Sequence, residues 1–435
     1  MDTASTDVAM LLRRTGFAPT AAERAVASSA GFIPTARARV AQARTTIDAA
    51  DSLAPPTFAP FTPLDRSADE ASRRQALAKR LATDRRENIA LAHWWCNRMA
   101  QSTNSLREKA TFIAHDHFAT SVETVKSAKL MYDQNQLLRT YALGDFAELM
   151  RRLVSDAAML VWLDGDSNVA QRPNENFARE FFELFTLGIG HYTETDVKEA
   201  ARAFTGWSYT LRTQHVAFVA RRHDNKTKTV LGKSGNFGSD DIVRIAMTDA
   251  TARNVAAHWW SRLAYPVTID DSVVNDVAAR FAQRLDIGDL VEAILLHDAF
   301  RSDAARTGLL KTPLEYVIGT MRLFNLTAEK ADALRTLESL GQLPFRPPSV
   351  GGWPGNEGWC SAAAALTRAQ FAARVVRSAD LRSLSGRSTN ERVDALAELL
   401  GVVWSEGTAA TLHAHAGDVS TLAALALVAP EYQVN

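Results

Sequence analysis

Residues 172–207 read RPNENFAREFFELFTLGIGHYTETDVKEAARAFTGW, and this run leaves the chain little freedom. Pro173-Asn174 is a helix start, with Asn174 at the N-cap and Glu175 near the positive end of the helix dipole. At about 100° per residue, Phe177, Phe181, Leu184 and Phe185 form one apolar stripe, with Asn176, Glu180 and Glu183 beside it. Glu180 falls between Leu184 and Leu187, so at least half of it is expected to be buried. A carboxylate there needs a partner: an arginine, a histidine, a metal or a bound substrate. Gly188 and Gly190 end the helix and free His191 to turn back towards it. Thr193 and Asp196 then cap a second helix, with Val197, Ala200, Ala201 and Phe204 on its inner face and Gly206 at its end.

These residues support two readings. In the first, Glu180 and Glu183 pair with Arg179, Arg202 or another core arginine and fix the packing. In the second they form, with His191, a titratable cluster in a cleft.

The rest of the chain reads as helices with few interruptions. Residues 6–14 make a short amphipathic helix, and Thr20 with Glu23 is a capping box for the next. The segment 51–66 carries four prolines and is expected to run as an extended surface linker. Ser67 and Glu70 suggest a second capping box, opening a helix with Leu77, Leu81, Ala92, Trp95 and Met99 on one face. Its arginines and lysines make a solvated face on the other side. In 104–118, helical spacing puts His117 on the apolar stripe with Leu106, Ala110 and Ile113, and turns His115 nearly opposite. Helices are expected over 121–138 and 145–163.

After Trp207 the period changes to two. Residues 209–211 and 216–218 predict a β-hairpin, followed by a loop through His223, Asp224 and Lys228. His223-Asp224 is either a catalytic dyad or anion site, or a turn in which Asp224 caps the backbone. Helices follow over 248–263, 270–284, 289–300, 312–324 and 331–340. The loop 344–358 lacks both phosphate-cradle spacings, and its Trp353 either lines a pocket or pins the loop to the body. Helices close the chain over 361–382, 390–402 and 408–428.

Charge excludes some functions. The 49 Lys and Arg balance the 49 Asp and Glu, so no nucleic-acid footprint or anionic-membrane patch is expected. Cys96 and Cys360 read as free thiols in a reducing compartment. No run of about 18 apolar residues occurs and no export signal is visible, so the chain reads as soluble and cytoplasmic. Zincin, di-iron, nucleophile-elbow and haem-attachment motifs are absent, so any metal site would combine residues distant in sequence.

The blocks LLRRTGFAPT, FIAHDHFATS, DAAMLVWLDG, 174–207, RRHDNKTKTVLG, KTPLEYV and GQLPFRPPSVGGWPGNEGW run through the chain in order. In these it resembles the large bacterial family catalogued as domain of unknown function 1800. The resemblance spans essentially the whole chain. It implies a mainly α, multi-helix bundle-like globular fold with a small β-hairpin insertion, and no established reaction. Family members are often exported, unlike the expectation for this chain, and Lys226 stands where they often have glycine. One family domain is expected over 1–435: the 51–66 linker, a helical core over 67–206, the hairpin and His-Asp loop over 207–232, and a helical half over 248–435.

Two functions remain in view, and the gathering of so many titratable groups in apolar contexts favours the first, an enzyme. As an enzyme, the chain would use Glu180, Glu183, His191 and His117 as acid/base groups or as ligands of a divalent metal ion, with Arg179 in support. Asn176, Glu175, His223, Asp224, Lys228 and Trp353 would then hold a small-molecule or polymer substrate in a hydrolase or oxidoreductase reaction. As a non-catalytic scaffold, it would bind a protein or polymer partner, with the same polar residues as an internal ion-pair network. Convergence on one solvent-reachable pocket favours the first. Carboxylates capped by arginines favour the second.

Overall fold

The computed structural model describes residues 3–45, 47–63, 67–210 and 213–435. Leu211 of the predicted hairpin and the last three residues of the 51–66 segment lie outside these. The protein is mainly α-helical, with two small antiparallel hairpins, Trp207–Thr210 with His215–Phe218 and Lys228–Val230 with Lys233–Gly235. No described helix is long and apolar enough to cross a membrane.

The organising element is the helix Ser105–His117. Twelve of its residues are buried, all but Arg107, although its sequence SLREKATFIAHDH is rich in charge. A helix buried all round must separate two apolar masses. Leu106, Ala110, Ile113 and Ala114 enter a core shared with the signature phenylalanines and the helices Asp249–Leu263 and Ile287–Leu296. Phe112 enters a second core, with Trp95 and Met99 of the helix Glu70–Gln101, the helix Pro313–Leu323 and the C-terminal helices. His115 and His117 face opposite sides, as their spacing predicts. His115 lies among the rings of Trp95, Phe345 and Trp353, and His117 beside Phe118 and His258.

Several boundaries differ from expectation, each for a local reason. Asp69, not Ser67, caps the long helix, accepting from the Ser72 amide at 2.9 Å. The predicted helix 121–138 breaks at Lys126, which has φ +51°, and 145–163 restarts where Asp156 caps the Met159 amide. The last predicted helix, 408–428, divides into Glu406–Ala414 and Val419–Val428, the second capped by Asp418. The predicted loop after His223 holds the second hairpin, which turns at Leu231 and Gly232, both with positive φ.

The signature helix is shorter than its pattern. It is α-helical only over Asn176–Glu180 and then widens into a π turn over Phe181–Phe185. In this turn Phe181, Phe182 and Phe185 all face inward, each no more than 1% exposed. Thr186 Oγ1 donates to the Phe181 carbonyl, and Gly188, at φ +80°, returns its amide to Phe182.

Candidate functional site

The signature residues are largely engaged with one another. Glu175 stands at the N-cap, one residue later than expected; Asn174 Oδ1 accepts from the Asn176 amide at 3.0 Å, and the Asn176 side chain is exposed. Arg179 bridges Glu175 at 3.3 Å and Glu194 at 2.7 Å. Glu183 accepts from the Tyr192 hydroxyl at 2.9 Å. Glu180 is half-buried and makes neither a hydrogen bond nor an ion pair among the described residues. Burial and neighbouring Glu183 raise its pKa.

The His-Asp loop is fastened in the same way. Arg202 donates from Nε to Asp224 at 2.8 Å and from Nη1 to Glu199, and its hydrogen bond holds the Asp224 carboxyl below its usual range. Asp224 Oδ1 accepts from the Lys226 amide, so it caps its own turn. Lys228 is 1% exposed, and its ammonium donates to the carbonyls of Asp224 and Lys226 and, at 3.4 Å, to Asn236 Oδ1. His223 Nδ1 donates to the Thr205 carbonyl at 2.8 Å.

The expected metal set does not converge. His191 is exposed and makes no hydrogen bond among the described residues, because the π turn and Gly188 carry it outward instead of back. His117 is buried, and its Nε2 donates to the Leu184 carbonyl at 3.0 Å, so this nitrogen is committed. Among the described residues no three His, Cys, Asp or Glu side chains are grouped to hold a metal ion. Trp353 is 3% exposed, stacks on Phe112 at 5.7 Å and donates its main-chain amide to Asp116. It pins its loop to the central helix.

A second polar centre, which local spacing did not reveal, lies along the central helix. Glu108 is fully buried and accepts from Arg98 Nε and Arg139 Nε, each at 2.7 Å, and from Trp95 Nε1 at 3.1 Å. Burial alone would raise its pKa; Arg139 and Arg98 bring it down to about 2. One residue on, Lys109 forms an ion pair with Glu315, which also accepts from Asn435 Nδ2 and from the Thr312 amide. Burial and the guanidinium groups of Arg14 and Arg262 push the Lys109 ammonium down. Asp116 accepts from Arg262 Nε at 2.7 Å and from the Trp353 amide at 2.8 Å. Lys109, Asp116, Arg262, Glu315, Gln342 and Trp353 line a cavity of about 20 Å³, room for one water-sized molecule.

His117 stacks on His258 with ring centroids 4.3 Å apart. Burial pushes His115 down to about 3 and His117 to about 4, and burial together with His117 lowers His258 well below its ordinary value. All three are neutral at pH 7. The sequence did hold a signal for this centre: a helix with apolar residues on every face leaves Glu108, Lys109 and Asp116 no solvent to face, so each requires an internal partner.

Taken together, these features define a mainly α-helical protein assembled around one buried, ion-paired helix. The chain belongs to the family described as protein of unknown function (DUF1800), whose model matches residues 10–434. No curated protein and no solved structure matches it. The blocks that carry the family resemblance meet in space: Asp116, Glu315, Gln342 and Trp353 line the cavity beside Lys109.

The buried histidines make a pH prediction. An unfolded chain takes up protons on each near pH 6.5, whereas the folded chain holds His115 and His117 neutral down to about 3 and about 4. Their contribution is therefore complete above about 6.5 and lost as pH falls through that value towards 4. The urea midpoint is expected to drop steadily over this window, and less steeply in His115→Phe. A flat midpoint would contradict the assignment.

Proposed function

We propose that this chain is a non-catalytic helical body that presents a surface to a partner, with its ionisable signature as internal fastening. The supporting observation is the fate of the carboxylates. Glu175, Glu183, Glu194, Glu199 and Asp224 each have a partner within the same small region. The open cavities of about 580, 540, 350 and 220 Å³ are lined by other parts of the chain. Histidines that donate to carbonyls or sit in aromatic cages suit packing better than proton transfer.

Glu180 supplies the test. Its raised pKa means that it favours the folded state at low pH, and that this contribution is lost as pH rises through its ordinary value to the raised one. At pH 7 it is a mild liability, so Glu180→Gln is expected to leave the melting temperature unchanged or slightly higher. Metal content by mass spectrometry, on protein made without a histidine tag, is expected to stay well below stoichiometric in both forms. A near-stoichiometric metal that disappears in Glu180→Gln would overturn this reading. It would instead support the second reading, metal-assisted or acid/base chemistry at Glu180, the one carboxylate of the stretch without a hydrogen bond or ion pair among the described residues.

A further inference from the structure

The helix Glu70–Gln101 carries one core-facing stripe along its length, but the body covers only part of it. From Leu91 onward the stripe is buried, with Leu91 and Trp95 at 0% exposure. Towards the N-terminus the same face continues through Leu81 and Leu77, which are 58% and 45% exposed. Residues 71–79 are all exposed, so two turns of helix stand clear of the body with no described element against them. A short helix without tertiary contacts is marginal in water, and its stability in proteins comes from a packed apolar face. At the foot of this arm opens a groove of about 580 Å³, floored by Leu81, Val122, Leu334, Leu343 and Phe345.

The charge along the arm is one-sided, whereas the groove lining holds four acids, Asp84, Glu123, Asp332 and Glu338, against four Arg and Lys. Residues 70–90 hold six Arg and Lys against three Asp and Glu. Each acid there is engaged: Glu70 with Arg74, Asp84 with Arg80, and Glu87 with the Ala59 amide. In the groove, Glu123 and Glu338 both pair with Arg346, and Asp332 faces Arg335 and Arg374. By contrast, the side chains of Arg73, Lys79, Arg85 and Lys126 make no ion pair or hydrogen bond among the described residues. The unpaired charge is positive: Arg73 and Arg85 flank the exposed apolar stripe and Lys126 lines the groove, while Lys79 points away from both.

We propose that the arm and groove dock an acidic amphipathic helix of a protein partner, with its leucine-type residues on Leu77 and Leu81 and its carboxylates on Arg73, Arg85 and Lys126. This rests on the partner-binding reading above and names the partner class. A bare polyanion would satisfy the cations and leave the leucines exposed. A flat lipid surface would not fill a concave groove.

The test uses the full chain and a labelled heptad-repeat peptide with leucines at a and d and glutamates at e and g, whose own charge keeps it from self-pairing. Fluorescence anisotropy is expected to show binding that weakens at least about tenfold when lysine replaces glutamate in the peptide. It should weaken as much in Leu77→Asp/Leu81→Asp protein, and Arg85→Glu should weaken it further. These side chains are exposed, so melting temperatures should not move. Equal binding of the lysine peptide, or indifference to the leucine changes, overturns the proposal. So does equal binding of polyglutamate or of a single-stranded oligonucleotide. A dimer in sedimentation velocity that the leucine changes dissolve would assign the face to a second copy and also overturn it. None of these variants touches Glu180 or its surroundings, so the docking proposal and the non-catalytic reading can fail separately.

Discussion

Glu108→Ala is expected to destabilise the protein by about 3–5 kcal/mol, enough to leave much of it unfolded at room temperature. The change deletes four heavy atoms of a fully buried side chain and no surface contact, and the loss of charge outweighs the loss of volume. It leaves Arg139, about 5% exposed, with no carboxylate partner, beside Arg98, which keeps its ion pair with Asp51. Glu108→Gln keeps the shape but not the charge, so most of the loss should remain. The pKa carries the same information. Glu108 titrates at about 2 when folded against 4.5 in its ordinary state. Its stabilisation is therefore present above about 4.5 and lost as pH falls from there towards 2, an amount on the order of 3 kcal/mol. Urea denaturation of wild type and variant between pH 7 and pH 3 checks both parts. The difference between them should be large at neutral pH and shrink in acid. Two curves separated by a constant amount would assign the effect to lost packing instead.

Gly352→Ala is the second change with a large expected effect. Gly352 has φ +80°, a conformation that disfavours any L side chain by roughly 1–2 kcal/mol. An added Cβ would also meet the Asp116 carbonyl oxygen well inside contact distance, and its Oδ1 at 2.6 Å. Neither oxygen has room to retreat. The carbonyl belongs to the end of the central helix, and the carboxylate is held by Arg262 and by the Trp353 amide. The loop must therefore lift, breaking the Trp353 contact and opening the aromatic cage around His115. A loss of more than about 3 kcal/mol is expected, with a red shift of tryptophan emission. Gly351→Ala is the control. Its nearest neighbour is Ser349 Oγ at 3.6 Å, its φ is not positive, and it is exposed, so little should change. Equal effects at the two glycines would remove the steric argument.

What was legible in the sequence was what neighbours in sequence decide. The capping boxes at Thr20 with Glu23 and at Thr193 with Asp196 form as their spacing requires. The phenylalanine stripe of the signature is buried, and the strand pair after Trp207 is a hairpin. Breaks at Lys126 and Asp156 were not legible, because the apolar period runs on across a single turn. His191 was misdirected because an ideal 3.6-residue period does not foresee a π turn over Phe181–Phe185. The polar centre was hidden for a different reason. Lys109 meets Glu315 across 206 positions and Asp116 meets Arg262 across 146, so no local pattern joins them.

If the ion-paired groups of the central helix and the signature are internal fastenings, as proposed above, and not parts of a site that opens to a substrate, the segments carrying them should not open locally. Native-state amide hydrogen exchange, read by mass spectrometry, tests this most directly. Ser105–His117 is expected to exchange only by global unfolding, and the strands and loop held by Arg202 and Lys228 more slowly than the exposed arm at 71–79. Local opening of His115, Asp116 and His117 within seconds, while the surrounding helices stay protected, would contradict it and place a gated site at the end of that helix.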